Sequence, residues 1–212
     1  ITGGTAAGER NKASITGGPS GPALQAVEIW RVLFPRVVGL KLYAGPSTGG
    51  LGVVSEDEQR RVYRGLALQK YTGVLAVHCE KASLFRPDLW NPEEPESHSM
   101  ARPPEAETRS VEEQIYMAEV EGFRGVLHIC HVTLPETVAL IRQSRRGLPF
   151  RITCGATPHH LFLSTENMKG EEGLLLKVNP PLRSEEERRG LLGAVLKGEI
   201  DWLETDHAPH TV

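Results

Sequence analysis

The sequence predicts an α/β chain built on a parallel sheet with helices outside it, and two observations lead there. Short apolar runs flanked by glycine alternate with longer segments of helical pattern. Between the apolar runs lie three Ser-x-x-Glu signatures, in which the serine hydroxyl accepts from a backbone NH and the glutamate reaches back. The apolar runs read as strands at Val37–Ala44, Gly73–Cys79, Gly125–Val132, Arg151–Ala156 and Asp201–Thr205. The helix starts are Ser55-Glu56-Asp57-Glu58, Ser110-Val111-Glu112-Glu113 and Ser184-Glu185-Glu186-Glu187, with Pro135 marking another after the third strand. No internal repeat is evident, and the βαβα order forms a parallel sheet.

Composition excludes several classes. At 212 residues, 39% hydrophobic and 24% charged, the chain is ordinary for a soluble globular protein. A formal charge of -3 leaves no basic footprint for nucleic acid and no polybasic membrane patch. The longest apolar runs, Gly73–Val77 and Leu174–Leu176, are far too short to span a bilayer. The three cysteines (Cys79, Cys130, Cys154) are widely spaced with no CxxC pair. That suits a reducing compartment, and the reading is cytoplasmic.

Two connections and one terminus break the pattern. Lys81–Arg109 is long and rich in Pro and Glu, and it follows a strand bearing a candidate ligand, so it reads as a βα loop that can serve as a lid. Ser164–Gly173 is a polar turn region, and Ile1–Lys12 reads as one poor strand or a frayed end. The whole of 1–212 is read as a single, incomplete β/α barrel domain with about five or six parallel strands.

Chemistry-bearing residues sit at the strand ends: Lys41, His78, His131 and Asp206. Each alone has a structural explanation, but a lysine inside an apolar strand is costly to bury unpaired. Together they lie at the C-terminal ends of different strands, where a β/α barrel places its active site. Strand alternation turns Cys79 away from His78 and Cys130 away from His131, so the thiols are not expected to be ligands. His128 is likewise expected on the face opposite His131.

These pieces resemble the amidohydrolase superfamily, and dihydroorotase within it. The resemblance runs from about Val37 to Thr211. It rests on Lys41-Leu42-Tyr43, Val77-His78-Cys79-Glu80, His128-Ile129-Cys130-His131-Val132-Thr133, Thr157-Pro158-His159-His160-Leu161, Asn179-Pro180-Pro181-Leu182-Arg183 and Asp206-His207-Ala208-Pro209-His210. The resemblance implies a partial TIM-type (β/α)8 barrel of the metal-dependent hydrolase kind and a site with two zinc ions. Lys41, carboxylated by carbon dioxide, would bridge them; His78 and His131 would hold one and Asp206 the other. Zinc would lower the pKa of a water to about 7. Asp206, the catalytic residue, would take the water's proton and give it to the departing amide nitrogen. Asn179 and His210 would bind the substrate, dihydroorotate or carbamoyl aspartate. His159, His160 and Arg183 are read as supporting or solvated.

The sequence departs from the family pattern in lacking an HxH pair before Lys41, its first histidine being His78. The expectation is therefore the middle of a longer protein, inactive and poorly soluble in isolation. Two other readings stand beside the first. One is a hydantoinase, dihydropyrimidinase or allantoinase, which shares the same metal logic. The other is a non-catalytic dihydroorotase-like subunit that associates with aspartate transcarbamoylase; a homodimer is the further assembly considered.

Overall fold

The computed structural model describes residues 22–47 and 50–208. The Ile1–Lys12 segment, and with it the reading of a poor strand there, lies outside these residues. Strands β1 (Gly39–Ala44), β2 (Val74–Cys79), β3 (Val126–Ile129), β4 (Arg151–Ala156) and β5 (Trp202–Leu203) pair in that order, all parallel, in one five-stranded sheet. Helices α1 (Pro22–Leu33), α2 (Glu56–Leu68), α4 (Pro104–Val120), α5 (Pro135–Ser144) and α7 (Glu185–Leu196) run between or before the strands. Two short helices, α3 (Ser97–Ala101) and α6 (Pro158–Phe162), sit in the connections. The sheet does not close on itself among the described residues.

One face of the sheet is the core. Leu42, Ala44, Leu75, Val77, Leu127, Ile129, Ile152 and Cys154 alternate onto it and pack against Val62, Tyr63 and Leu66 of α2, Val111 and Ala118 of α4, Ile141 of α5 and Leu191 of α7. Apolar burial at about 25 cal/mol per Å2 makes this layer the main source of stability. The opposite face, carrying Lys41, Tyr43, Ala76 and His128, is only partly covered. Short apolar runs alone suggest burial on both faces; here the polar residues at alternate positions leave the second face half open.

The helix starts differ from expectation in two places. Helix α4 begins at Pro104, with proline in its first turn, so Ser110 is a buried mid-helix residue and not a cap. Proline in the first turn fixes φ without forfeiting a needed donor, which outweighs the serine signature six residues on. Ser55 occupies the N-cap of α2 but makes no side-chain cap bond. The Ser184 box is formed: Glu187 N donates to Ser184 Oγ at 3.2 Å and Ser184 N donates to Glu187 Oε2 at 2.8 Å. No helix among the described residues is long and apolar enough to cross a membrane.

Candidate metal centre

The parallel register sets which side chains share the half-open face. Lys41 pairs with Ala76, Ala76 with His128, and His128 with Thr153, while Tyr43 pairs with His78 one row further on. Side chains two apart on a strand share a face. Cys130 therefore lies with His128 on the inner face, beside Lys41, whose Nζ is 3.1 Å from its sulfur. This corrects the expectation that Cys130 and His128 point away from the site. Cys79, by contrast, is in the core as alternation requires.

His131 reaches the same place by a different route. Alternation would send it outward with Ile129, but its φ is 39°, a left-handed conformation rarely adopted by residues with a side chain. The turn ends β3 short of Val132 and swings the ring inward. His78 Nδ1 and His131 Nε2 then face each other at 3.2 Å. Asp206, with φ 48°, shares this backbone feature. Such conformations cost of order 1–3 kcal/mol and persist where surrounding contacts hold them.

Behind this pair stands a carboxylate that motif reading passed over. Glu80 is fully buried and its Oε2 lies 2.9 Å from His78 Nε2. Arg102 donates to both Glu80 oxygens, through Nε at 3.0 Å and through Nη2. Burial alone would raise the Glu80 carboxyl, but hydrogen bonds from His78 and Arg102 and the Arg102 charge bring it down to about 2. An ionised Glu80 accepts from His78 Nε2–H, which in the neutral ring leaves Nδ1 as the lone-pair atom. The signal was available: Glu80 is two residues from His78 and so shares its face. His131 is held neutral by burial and by the neighbouring His78 and Lys41, its pKa well below the usual histidine value.

This arrangement suits a metal ion. Two nitrogens bound to one tetrahedral zinc at about 2.0–2.1 Å stand roughly 3.3 Å apart. The observed separation of 3.2 Å matches that, and the second nitrogen of His78 is fixed by a carboxylate, as in ligating histidines.

The remaining expected residues are less gathered. Lys41 is exposed on the half-open face, not buried; its ammonium lies against Cys130 and 5.1 Å from the centre of the Tyr43 ring. Asp206 is exposed beyond β5; burial raises the Cys130 thiol pKa and the Asp206 charge adds to this, while burial lowers that of His159 and the Asp206 charge only partly offsets it. Asn179 is exposed, and its Oδ1 accepts from His98 Nε2 at 3.0 Å. His210 lies outside the described residues.

Three further residues build the surroundings. Arg183, read from sequence as solvated, is 2% exposed and donates to Thr133 Oγ1 at 3.0 Å and to Arg102 O at 2.6 Å. It is drawn inward because the buried Glu107, which accepts from Thr133, supplies the opposing charge. His160 bridges Thr157 Oγ1 at 2.7 Å and Pro180 O at 3.0 Å, and burial takes its pKa down to about 3. Glu204 accepts from His128 Nε2 at 3.0 Å and from the His131 backbone NH. Neither Glu107 nor Glu204 carries a local pattern; both acquire partners only through the fold.

Comparison with known proteins places the chain. No family model matches. The dihydroorotase of Brevibacillus brevis is 33% identical over 187 residues, 83% of this chain and 43% of that protein. The dihydroorotase of Lactobacillus helveticus is 37% identical over 140 residues, covering 65% of this chain and 32% of the relative. The chain thus spans well under half the length of these relatives. Among solved structures, the D-hydantoinase from Bacillus sp. AR9 superposes with a TM-score of 0.72 at 21% identity, over 88% of this chain and 40% of that one. The L-hydantoinase (dihydropyrimidinase) from Arthrobacter aurescens gives 0.71 at 23% identity, over 87% and 40%. At such identities the structural likeness speaks for the fold alone, a part of a TIM-type (β/α) barrel, and it agrees with the five parallel strands seen here. With sequence relatives bearing one name and a fold to match, the chain belongs to the dihydroorotase family of amidohydrolases.

Proposed function

We propose that the protein represented by this chain is a dihydroorotase, catalysing the reversible hydrolysis of the dihydroorotate ring amide to N-carbamoyl-aspartate for pyrimidine synthesis. One observation carries the reading: His78 Nδ1 and His131 Nε2 face each other at 3.2 Å at the C-terminal ends of neighbouring strands. His78 and His131 would hold zinc, with Lys41 as a carbamate and Asp206 completing the ligand set. Zinc supplies Lewis-acid activation of water and of the ring carbonyl when bound.

The chain's own residues do the rest. Glu80 keeps the His78 ring in one tautomer, and Arg102 keeps Glu80 ionised and in place. Asp206 accepts the proton of the attacking water and returns it to the leaving amide nitrogen. Asn179 and His210 orient the substrate, and His98 of the segment 81–109, which would serve as a lid, hydrogen-bonds to Asn179. The three free cysteines, all buried, fit a reducing cytoplasmic setting.

The test is an assay of the full-length zinc-loaded protein on dihydroorotate, hydantoin and allantoin. Ring opening of dihydroorotate in preference to the others, lost in His131→Asn, is expected. Preference for hydantoin or allantoin overturns the reading.

A further inference from the structure

A second cluster of donor atoms lies on the half-open face, its side chains separate from the two facing imidazoles though Glu204 also accepts from the His131 backbone NH. His128, Cys130 and Glu204 each bring one ligand atom to within 4.8 Å of the others. His128 and Cys130 share the inner face of β3 by alternation, and Glu204 arrives from the end of β5. Its place is made by Gly155 on the neighbouring β4. A Cβ at Gly155 would stand 2.5 Å from Glu204 Cδ, so only a residue without a side chain admits this carboxylate.

The cluster has the supports a ligand set needs. His128 Nδ1 is 3.0 Å from Thr153 Oγ1, which ties one ring nitrogen and directs Nε2 toward Glu204. A second partner of this kind is what fixes the orientation of ligating histidines. Lys41 Nζ lies 3.1 Å from Cys130 Sγ, so the sulfur already has a polar partner on this face. Around one tetrahedral zinc, with bonds of about 2.0 Å to nitrogen or oxygen and about 2.3 Å to sulfur, ligand atoms stand roughly 3.3–3.6 Å apart. The observed trio, within 4.8 Å of one another, would draw together by about 1 Å to reach that spacing.

We propose that His128, Cys130 and Glu204 form a thiolate-containing site for a borderline divalent cation such as zinc, distinct from the His78–His131 pair, with Lys41 beside its sulfur. Imidazole, thiolate and carboxylate together suit zinc or cobalt(II) and not magnesium or calcium. On binding, the Cys130 S–H proton leaves to solvent and a sulfur lone pair forms the bond, with no change of oxidation state. His128 takes the tautomer with hydrogen on Nδ1, donating to Thr153, so that Nε2 is free to bind. Glu204 exchanges its hydrogen bond from His128 for the metal.

The experiment is titration of the metal-free, reduced chain with cobalt(II), read by absorption. A near-ultraviolet thiolate-to-cobalt charge-transfer band is expected. It should vanish in Cys130→Ser, and its apparent affinity should fall at least about tenfold in Glu204→Gln and in His128→Asn. It should persist in Cys79→Ser and in the His78→Asn/His131→Asn double variant, which separates this site from the proposed catalytic pair. Absence of the band in folded wild-type protein, or its survival in Cys130→Ser, overturns the proposal. X-ray absorption on the zinc-loaded wild type needs no variant. A sulfur neighbour at about 2.3 Å supports the site, and a shell of nitrogen and oxygen only overturns it.

Discussion

Replacing Glu80 with glutamine tests how the His78 ring is held. The substitution preserves shape but supplies one oxygen and one NH2 where His78 and Arg102 both donate. Whichever way the amide turns, one donor faces another. Removing one partner of a buried ion pair costs about 3–5 kcal/mol, because the other charge is left uncompensated. Arg102 retains 14% side-chain exposure and sits 4.4 Å over the Phe85 ring, which softens the loss toward the lower end, about 3 kcal/mol. A second effect is separate: His78 is no longer confined to the tautomer with Nδ1 free, and loss of such a partner typically lowers metal affinity 10–100-fold. Urea unfolding in the presence of a chelator reads the first quantity. Zinc competition against a chromophoric chelator reads the second. In the double variant with Arg102→Met, the stability losses should fall short of additive by about 2 kcal/mol. If Glu80→Gln unfolds within about 0.5 kcal/mol of wild type and binds zinc as tightly, the relay from Arg102 through Glu80 to His78 is wrong.

Three further outcomes follow from particular contacts. His160, neutral in the fold with its pKa lowered to about 3, binds its proton more readily when unfolded, so its contribution fades as pH drops below about 6.5 and is exhausted near 3. Between pH 7 and pH 5 that amounts to about 2 kcal/mol; His160→Asn, compared by urea unfolding at both pH values, should lose this part of the slope, and an unchanged slope counts against it. Gly155→Ala pushes the Glu204 carboxylate off His128 and the His131 NH, costing about 1–3 kcal/mol in thermal unfolding; an unaltered melting temperature would mean that Glu204 has room elsewhere. Ser184→Ala removes a formed capping box and should destabilise by about 1 kcal/mol, with Ser184→Thr recovering most of it; equal stability of both variants would show that the α7 cap carries no weight.

Much of the fold is legible in the residues because its signals are local. The run Arg151–Ala156 is β4 to the residue, and Pro135 opens α5 where proline is tolerated. The site is legible only up to the strand ends. Period two places His78 and Glu80 on one face, but the same rule counted back from His131 misplaces its neighbours, since a single left-handed residue cannot be read from alternation. Once His131 breaks the pattern, Cys130 and His128 fall on the inner face, opposite to the expectation. Arg183 was misread for a related reason: its partners, Thr133 and the Arg102 carbonyl, are 50 and 81 residues away in sequence. Contacts of that separation belong to topology and leave no local trace.

Each strand lies beside the one synthesised just before it. The sheet can therefore grow as the chain emerges from the ribosome, with every addition pairing to the strand made just before it and never waiting for a distant partner. The two facing imidazoles come together once β3 docks on β2, whereas Glu204 and Asp206 arrive only with the final strand. Assembly of the centre is thus ordered in time by the order of the strands: the nitrogen pair and Glu80 first, Glu204 and Asp206 last.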